Sequence, residues 1–251
     1  MKKILFNPVL VYRFGIIVLT SVSINAVVDI HHARFRPAIA QAADTDNYCE
    51  GRSRDGLING RGVCTFPSGN RYEGELRNSR RHGKGVFSFA NGTRCEGVFK
   101  DDLLDGKGIC IFPSGNRYEG DFRRNQREGK GLFRFADGTY CEGEFRNNVF
   151  NGVGVCTFPD GNRFEGAFQD GRRQGRGLFT FANGVRCEGD FRNEVLNGSG
   201  VCTFPSGNRY EGEFRDGRQN GRGTYIFADG TRLEGVWRDG RFLNNPKTGR
   251  S

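Results

Sequence analysis

Short runs of alternating hydrophobic and polar residues occupy most of this chain. In residues 71–77, Tyr72 and Leu76 fall on one face of an extended strand, and charged residues take the other face. Residues 83–90 alternate in the same way around Phe87. A period of two is typical of a half-buried β-strand. Because the two runs flank a short polar loop, we predict that they form a β-hairpin.

The pair of runs recurs with a fixed period of 23 residues. Its marker is a glycine after a glutamate, found at Gly51, Gly74, Gly97, Gly120, Gly143, Gly166, Gly189, Gly212 and Gly235. Turn-forming segments such as PSGN (67–70) and FADGT (135–139) separate the units. Such a period is typical of repeat proteins, whose units bury apolar surface against their neighbours. The sequence therefore predicts an all-β fold, an elongated, twisted or curved single-layer antiparallel sheet of tandem hairpins with about 17 strands.

The spacing also predicts a register. If the hairpin is centred between Ser79 and Arg80, Gly74 faces Gly85. The other pairs in this register are Tyr72 with Phe87 and, on the outer face, Glu75 with Lys84. Asp121 with Lys130 and Glu213 with Arg222 repeat the charged pair. Facing glycines leave room for aromatic rings to lie flat over the backbone.

The pattern YEGEF…GKG…FADG resembles the MORN (membrane occupation and recognition nexus) repeat. The resemblance runs from Tyr48 to Phe242, as eight full units and a terminal half-unit. It implies a long twisted sheet of hairpins that attaches or organises membranes or protein partners. Some relatives carry a fused catalytic domain, but we identify no catalytic pattern here. The glutamates before the marker glycines repeat regularly, which favours a structural role over a catalytic one.

The ends of the chain do not follow the repeat. Near the start, two lysines precede the apolar run 14–28, and small residues around Ala42 fit a cleavage site. We expect a signal peptide or signal anchor (1–42), a short linker (43–47), the repeat array (48–243) and a flexible tail (244–251). This organisation predicts an exported protein that is periplasmic, extracellular or envelope-associated, and membrane-anchored if the leader is retained.

A second period, of 46 residues, is superimposed on the first. Alternate units carry two cysteines where the others carry two aromatic residues. The cysteines couple across each hairpin as Cys49–Cys64, Cys95–Cys110, Cys141–Cys156 and Cys187–Cys202. Directly opposed residues lie within disulfide reach, and export favours oxidation, so we predict four disulfides. Reduced core cysteines are the alternative. Adjacent couples lie ~19 Å apart, too far to share one metal ion, so we expect no metal site and no cofactor.

The hairpin tips alternate as well, and they are the candidate binding surface. One set is apolar, comprising Leu57, Ile58, Leu103, Leu104, Val149, Phe150, Val195 and Leu196. The other set is basic, comprising Arg80, Arg81, Arg127, Arg172, Arg173 and Arg218. Together they suit an anionic membrane or an amphipathic protein. Alternatively, each apolar pair folds back over its own hairpin.

Charge and composition limit the functional classes. Lys and Arg number 38 against 29 Asp and Glu, a net charge of +9 that is spread too thinly to indicate a nucleic-acid partner. We therefore predict a non-catalytic exported scaffold that binds a protein or an anionic membrane. The alternatives are a module that binds a glycan or peptide through the aromatic face and, least favoured, an enzyme of an unrecognised type.

Overall fold

The computed structural model describes residues 48–244, except the side chains of Arg52, Ser53 and Asn244. The predicted leader, linker and residues 245–251 lie outside this range. The described chain forms one open antiparallel sheet of strands, in which consecutive strands pair. No helix within residues 48–244 is long and apolar enough to span a membrane. The chain divides into two compact units, with described residues 48–172 and 173–244, and each is treated by itself.

Strands in the first unit alternate between seven and nine residues. They are β1 (Tyr48–Arg54), β2 (Leu57–Thr65), β3 (Arg71–Arg77), β4 (Arg80–Ser88), β5 (Arg94–Lys100), β6 (Leu103–Ile111), β7 (Arg117–Arg123), β8 (Gln126–Arg134), β9 (Tyr140–Arg146), β10 (Val149–Thr157) and β11 (Arg163–Gln169). The second unit holds β12 (Arg172–Thr180, of which Arg172 belongs to the first unit), β13 (Arg186–Arg192), β14 (Val195–Thr203), β15 (Arg209–Arg215), β16 (Arg218–Ile226), β17 (Arg232–Arg238) and β18 (Arg241–Asn244). The described count is 18, against about 17 expected, because Arg241–Asn244 pairs with β17.

The predicted register is confirmed away from the tips and wrong at the tips. Gly74 pairs with Gly85 and Tyr72 with Phe87, as expected. The turn, however, is centred between Asn78 and Ser79, whose φ angles of 50° and 60° define a type I′ turn. Strand β4 then contains two more residues than β3 between the tip and the glycine pair, so a bulge restores the register.

The predicted outer-face charge pairs are also corrected. A carboxylate oxygen of Glu75 accepts a hydrogen bond from the backbone nitrogen of Lys84 at 3.2 Å, rather than meeting its ammonium group. A carboxylate oxygen of Asp121 likewise accepts a hydrogen bond from the backbone nitrogen of Lys130 at 3.2 Å. The side chain that pairs with Asp121 is Lys107, at 2.6 Å, on the strand that precedes β7. The bulge explains the change, because it shifts the basic side chain out of the expected cross-hairpin position.

One face of each unit is an aromatic core. The rings of Tyr72 and Phe99 meet edge to face at 5.2 Å, and Tyr118 meets Phe145 at 5.0 Å. A Cβ atom at Gly74 would lie 2.5 Å from both the Tyr72 hydroxyl and the Gly85 Cα, so only glycine fits beneath the ring. The Tyr72 and Tyr118 rings therefore lie directly over the paired glycines, where the sequence predicts them. In the second unit, the buried Trp237 packs its ring against those of Tyr210 and Phe242, each at 5.2 Å.

All four predicted disulfides are present, each between directly opposed residues of one hairpin. They join Cys49 to Cys64, Cys95 to Cys110, Cys141 to Cys156 and Cys187 to Cys202, over a sequence separation of 15 residues each. No described cysteine is free. Alternate hairpins are thus crosslinked covalently, and the hairpins between them are packed through aromatic rings that meet mostly edge to face.

Candidate functional site

The face opposite the aromatic core forms a groove in the first unit. Its volume is about 1840 Å³, and it is lined from Glu50 on β1 to Glu165 on β11. Side chains alternate between faces along each strand, so the groove takes the residues that flank the core aromatics and glycines. We call this surface the groove face. The sequence predicts only solvated cross-strand charge pairs on this face. The alternation within a single strand does not indicate that neighbouring strands form a groove.

Glutamate and aliphatic residues alternate across the strands in the middle of the groove face. Glu73, for example, is opposed by Val63 on one side and by Val86 on the other. The glutamates are Glu50, Glu73, Glu96, Glu119, Glu142 and Glu165, and the aliphatic residues are Val63, Val86, Ile109, Leu132 and Val155. Seven carboxylates, including Glu144, and four basic residues line the groove, a net charge of −3. The side chains that line the groove are therefore acidic on balance, and basic residues border them.

A row of arginines borders these glutamates, and the sequence reading missed it. Each arginine lies two residues before its glutamate on the same strand face, where the two side chains form an ion pair. The pairs are Arg71–Glu73 at 2.8 Å, Arg94–Glu96 at 3.1 Å, Arg117–Glu119 at 2.7 Å and Arg163–Glu165 at 2.7 Å. The available signal was the motif R-x-E, which occurs in most units. Because these pairs are exposed, each contributes little to stability, ~0.2–1 kcal/mol.

The pattern of the groove face breaks at strands β9 and β10. Tyr140 stands where the first unit's inner repeats have arginine, and the Arg134 guanidinium lies 5.4 Å from its ring centroid. Glu142 consequently has no arginine two positions before it. Val153 stands where the preceding repeats have Arg61, Lys84, Lys107 and Lys130, and its side chain is 66% exposed.

The structure separates the predicted tip residues into an inner and an outer set. Ile58, Leu104, Phe150 and Leu196 are buried, and so are Arg127 and Arg173. Arg81 is partly buried, and Leu103, Val149 and Val195 are half-buried. Leu57, Arg80, Arg172 and Arg218 are exposed. The buried apolar side chains fold back over their own hairpins, which was the alternative to a binding role. Leu104, for instance, opposes Phe99.

Neighbouring tips within a unit are linked by hydrogen bonds that the sequence reading also missed. The backbone nitrogen of Asp102 donates to the carbonyl oxygen of Arg81 at 3.0 Å, and the Asp102 carboxylate accepts from the Arg81 backbone nitrogen at 2.9 Å. Asn125 makes the same two contacts with Leu104. The second residue of each of these turns is therefore a cap for the hairpin before it. The Asp-Gly pairs at 55–56 and 170–171 were the available signal for type I′ tips.

The inner basic residues belong to the core rather than to a binding surface. The Arg81 guanidinium lies 4.6 Å from the Phe87 ring centroid and pairs with Asp102 at 3.3 Å. The Arg173 guanidinium pairs with Glu194 at 2.7 Å. Burial lowers the pKa of Arg81 and Arg173, and the paired carboxylates oppose that shift. For Arg127, burial lowers the guanidinium pKa to about 10, and the nearby Tyr118 opposes the shift.

The aromatic face does not present its core rings to a ligand. Tyr118, Phe133, Phe164, Phe179 and Tyr210 are at most 1% exposed. The tyrosine hydroxyls are satisfied internally. The Tyr72 hydroxyl donates to the backbone oxygen of Glu75 at 2.8 Å, and the Tyr118 hydroxyl donates to that of Asp121 at 3.0 Å. The sequence offered glycan or peptide binding on the aromatic face as an alternative. These five rings are not exposed, so they cannot contact such a ligand.

Comparison with known proteins identifies the repeat. The model of the MORN repeat matches residues 49–71, 72–94, 95–117, 118–140, 141–163, 164–186, 187–209 and 210–232. A comparison with curated protein sequences finds no match.

Solved structures resemble the chain only distantly. The TCP10 domain of Danio rerio CPAP is 14% identical with a TM-score of 0.47, over 79% of this chain and 94% of that chain. The SAS-4 TCP domain of Drosophila melanogaster, solved with a proline-rich motif of Ana2, is 14% identical with a TM-score of 0.41, over 62% and 85%. A streptogramin B lyase is 13% identical with a TM-score of 0.16, over 81% and 75%. Likenesses this weak carry no functional argument.

Proposed function

Because the chain belongs to the MORN repeat family, whose model matches it from residue 49 to residue 232, we propose that it is a non-catalytic, exported interaction scaffold. The scaffold holds a segment of a partner protein in the groove of the first unit, at a membrane or cell envelope. The observation that carries the proposal is the groove itself, about 1840 Å³ in volume and lined by exposed glutamates and half-buried aliphatic side chains. Clefts of this kind, with an apolar floor and fixed polar groups, are typical of binding sites.

Rigidity supports the scaffold role. Disulfides and packed aromatic rings fix the hairpins below the groove, so a partner meets a preorganised surface and less conformational entropy is lost on binding. Four disulfides are also typical of an oxidising compartment, which supports the proposed export. The leader itself remains a prediction, as do its cleavage and any membrane anchoring, and no glycan partner is proposed.

Site-specific photo-crosslinking tests this function. A photoreactive phenylalanine analogue replaces Val98, which is exposed on the groove face, and in a matched variant it replaces Arg80, which is exposed at a tip. We expect the Val98 variant to crosslink a discrete partner in the native envelope, and the Arg80 variant to crosslink it less. A partner captured only through position 80, or none through either position, would contradict the groove as the binding surface.

A second candidate uses the tips, as the sequence predicts, but with fewer residues. In the first unit the exposed outer members Leu57, Arg80 and Arg172 keep a basic and partly apolar character, and in the second unit Arg218 is exposed at a tip. Tips of this composition suit an anionic bilayer. They are compatible with a groove that faces away from the lipid and binds a protein, and a vesicle experiment described below separates the two.

A further inference from the structure

The break in the groove pattern lies around Glu142 on β9 and Val153 on β10. In the neighbouring repeat, Glu119 is paired with Arg117 at 2.7 Å, and Lys107 pairs with Asp121 at 2.6 Å. In the repeat of β9 and β10, tyrosine and valine replace the corresponding basic residues. Both exchanges are matched by neighbouring residues, since Tyr140 contacts Arg134 and Val153 opposes Ala167 where Lys107 opposes Asp121. Glu142 is consequently left without the arginine partner that Glu119 has.

The surroundings of Glu142 suit a long basic side chain. Its two cross-strand neighbours on the groove face are Leu132 on β8 and Val155 on β10, both aliphatic. A lysine or arginine packs its methylene stem on apolar surface while its charged group reaches a carboxylate. None of the ion pairs among the described side chains includes Glu142, and the guanidinium of Arg134 lies over the Tyr140 ring. The Glu142 carboxylate therefore attracts a positively charged group of a bound segment.

Val153 supplies the second contact. It lies two residues from Val155 on the same strand and lines the same groove as Glu142. An extended peptide places residues i and i+2 on one side with a separation of ~6.6 Å. One basic and one aliphatic side chain of an extended peptide can therefore reach Glu142 and Val153 together.

We propose that Glu142, Val153 and the aliphatic pair Leu132 and Val155 form an anchor for an extended basic segment of a partner protein, with the motif [Lys/Arg]-x-[aliphatic]. This rests on the proposed function and specifies which part of the groove selects the partner. The ionic contact gives specificity and rapid association, and the aliphatic contact gives binding that salt does not remove. The regular Arg–Glu pairs elsewhere satisfy one another, so they contribute little selectivity.

The test uses the purified full chain with its disulfides intact and a labelled peptide of three Lys-Thr-Val-Thr units. Fluorescence anisotropy measures the Kd. Tyr140→Arg restores the arginine of the other repeats and should pair with Glu142, and Val153→Lys restores the basic residue of the preceding repeats. We expect Tyr140→Arg and Glu142→Gln to raise the Kd about tenfold, because each removes the ionic contact with the peptide. We expect Val153→Lys to raise the Kd by a similar factor, because it removes the aliphatic contact. Both restoring variants use residues found at the equivalent positions of other repeats. The melting temperature of each variant is measured alongside, because Tyr140→Arg also removes the contact with Arg134.

Two controls make the result decisive. Glu119→Gln alters a glutamate already paired with Arg117 and should change the Kd less than twofold. Peptides of Glu-Thr-Val-Thr or Lys-Thr-Ser-Thr units should bind more weakly than the first peptide. Equal binding by the wild type and Tyr140→Arg, or no binding of the basic peptide at all, overturns the anchor. A Val98 crosslink together with either of those results would leave the groove function standing and remove only the anchor, whereas absence of any groove crosslink counts against the function itself.

Discussion

Arg127 lies in the core of the first unit and donates from Nη2 to the backbone oxygen of Asn148 at 2.6 Å. Its guanidinium is 5.5 Å from the ring centroid of Tyr118 and 5.1 Å from that of Phe133. At the equivalent positions of the neighbouring basic hairpins, Arg81 and Arg173 face carboxylates, those of Asp102 and Glu194. Of the three residues that face these buried arginines, Asp102 and Glu194 are acidic and Asn148 is an amide. The side-chain oxygen of Asn148 accepts a hydrogen bond from the Arg127 backbone nitrogen at 2.9 Å.

Asn148→Asp should stabilise the protein, because it gives a buried cation the carboxylate that its equivalents have. Asp102 already holds a positive φ at this turn position, so the backbone accepts the change. Charge-assisted hydrogen bonds are worth ~1.5–3 kcal/mol, and part of that is offset by desolvation of the new carboxylate. We expect a gain of ~1 kcal/mol at neutral pH in urea denaturation.

The pH dependence identifies the cause of that gain. The pKa of the new carboxyl should be lowered by Arg127, so the gain is present above the usual range of an aspartate and is lost as the pH falls through the lowered folded value. Asn125→Asp is the matched control, because its partner hairpin presents Leu104 rather than arginine. An equal effect of the two substitutions would show that the turn, and not the ion pair, is responsible.

The fold was predictable from the sequence because its determinants are local and repeated nine times. The glycine register, the Tyr72–Phe87 pair and the four cysteine couples follow from a period of two within strands and a period of 23 between them. The tip register was misjudged because the bulge adds two residues to β4, and a count along the chain cannot distinguish a longer loop from a shorter loop with a bulge.

The candidate site was less predictable, because the groove is lined by side chains from many strands. Alternation assigns Glu73 and Val86 to one face but does not say whether that face forms a groove. Likewise, tip residues 103 and 104 form one apolar pair in the sequence, but the turn directs only Leu104 into the core. The break at Tyr140 was visible in the repeat alignment, yet it had no meaning until the Arg–Glu pairs of the other strands were placed beside it.

The buried tyrosines predict a loss of stability at alkaline pH. Burial raises the pKa of Tyr72 to about 12, and it raises the pKa of Tyr118 and Tyr210 as well. In the unfolded chain these groups titrate near ~10, so the folded state holds its protons longer. The stability contribution is therefore complete below about pH 10 and is lost as the pH rises towards the folded value.

Replacing the three tyrosines by phenylalanine should flatten that loss. Phe164 already occupies the equivalent position of another repeat, so the core accommodates the change. We expect a cost of ~1 kcal/mol per hydroxyl at neutral pH and a smaller fall in unfolding free energy between pH 10 and 12. Unfolding free energies measured at several pH values check this. An unchanged alkaline slope would mean that other groups control it.

The disulfides should be the main covalent contribution to stability. Each closes a loop with a sequence separation of 15 residues, worth ~3 kcal/mol through the entropy of the unfolded chain. Cys187→Ala with Cys202→Ala should therefore lower the unfolding free energy by about that amount, and peptide mapping of the non-reduced protein should find the other three links unchanged. The single variant Cys187→Ala is the control for the cavity, since it removes the same crosslink but only one sulfur. Crosslinks between different repeats in the mapping would contradict the assignment.

The tips give the prediction that separates a membrane partner from a protein partner. Each arginine near an anionic surface contributes ~1 kcal/mol, and salt screens that attraction. Replacing the exposed Arg80, Arg172 and Arg218 by alanine should therefore reduce co-sedimentation with anionic vesicles by at least tenfold at low salt and flatten its salt dependence. Leu57→Ser should weaken sedimentation at every salt concentration, because the side chain is 44% exposed and able to insert. Leu104→Ser is the contrasting variant, since its side chain is 1% exposed and its loss should lower the melting temperature rather than act on the lipid. If the wild type does not sediment with anionic vesicles at low salt, the tips do not bind lipid, and the groove is left as the surface through which the scaffold holds its partner.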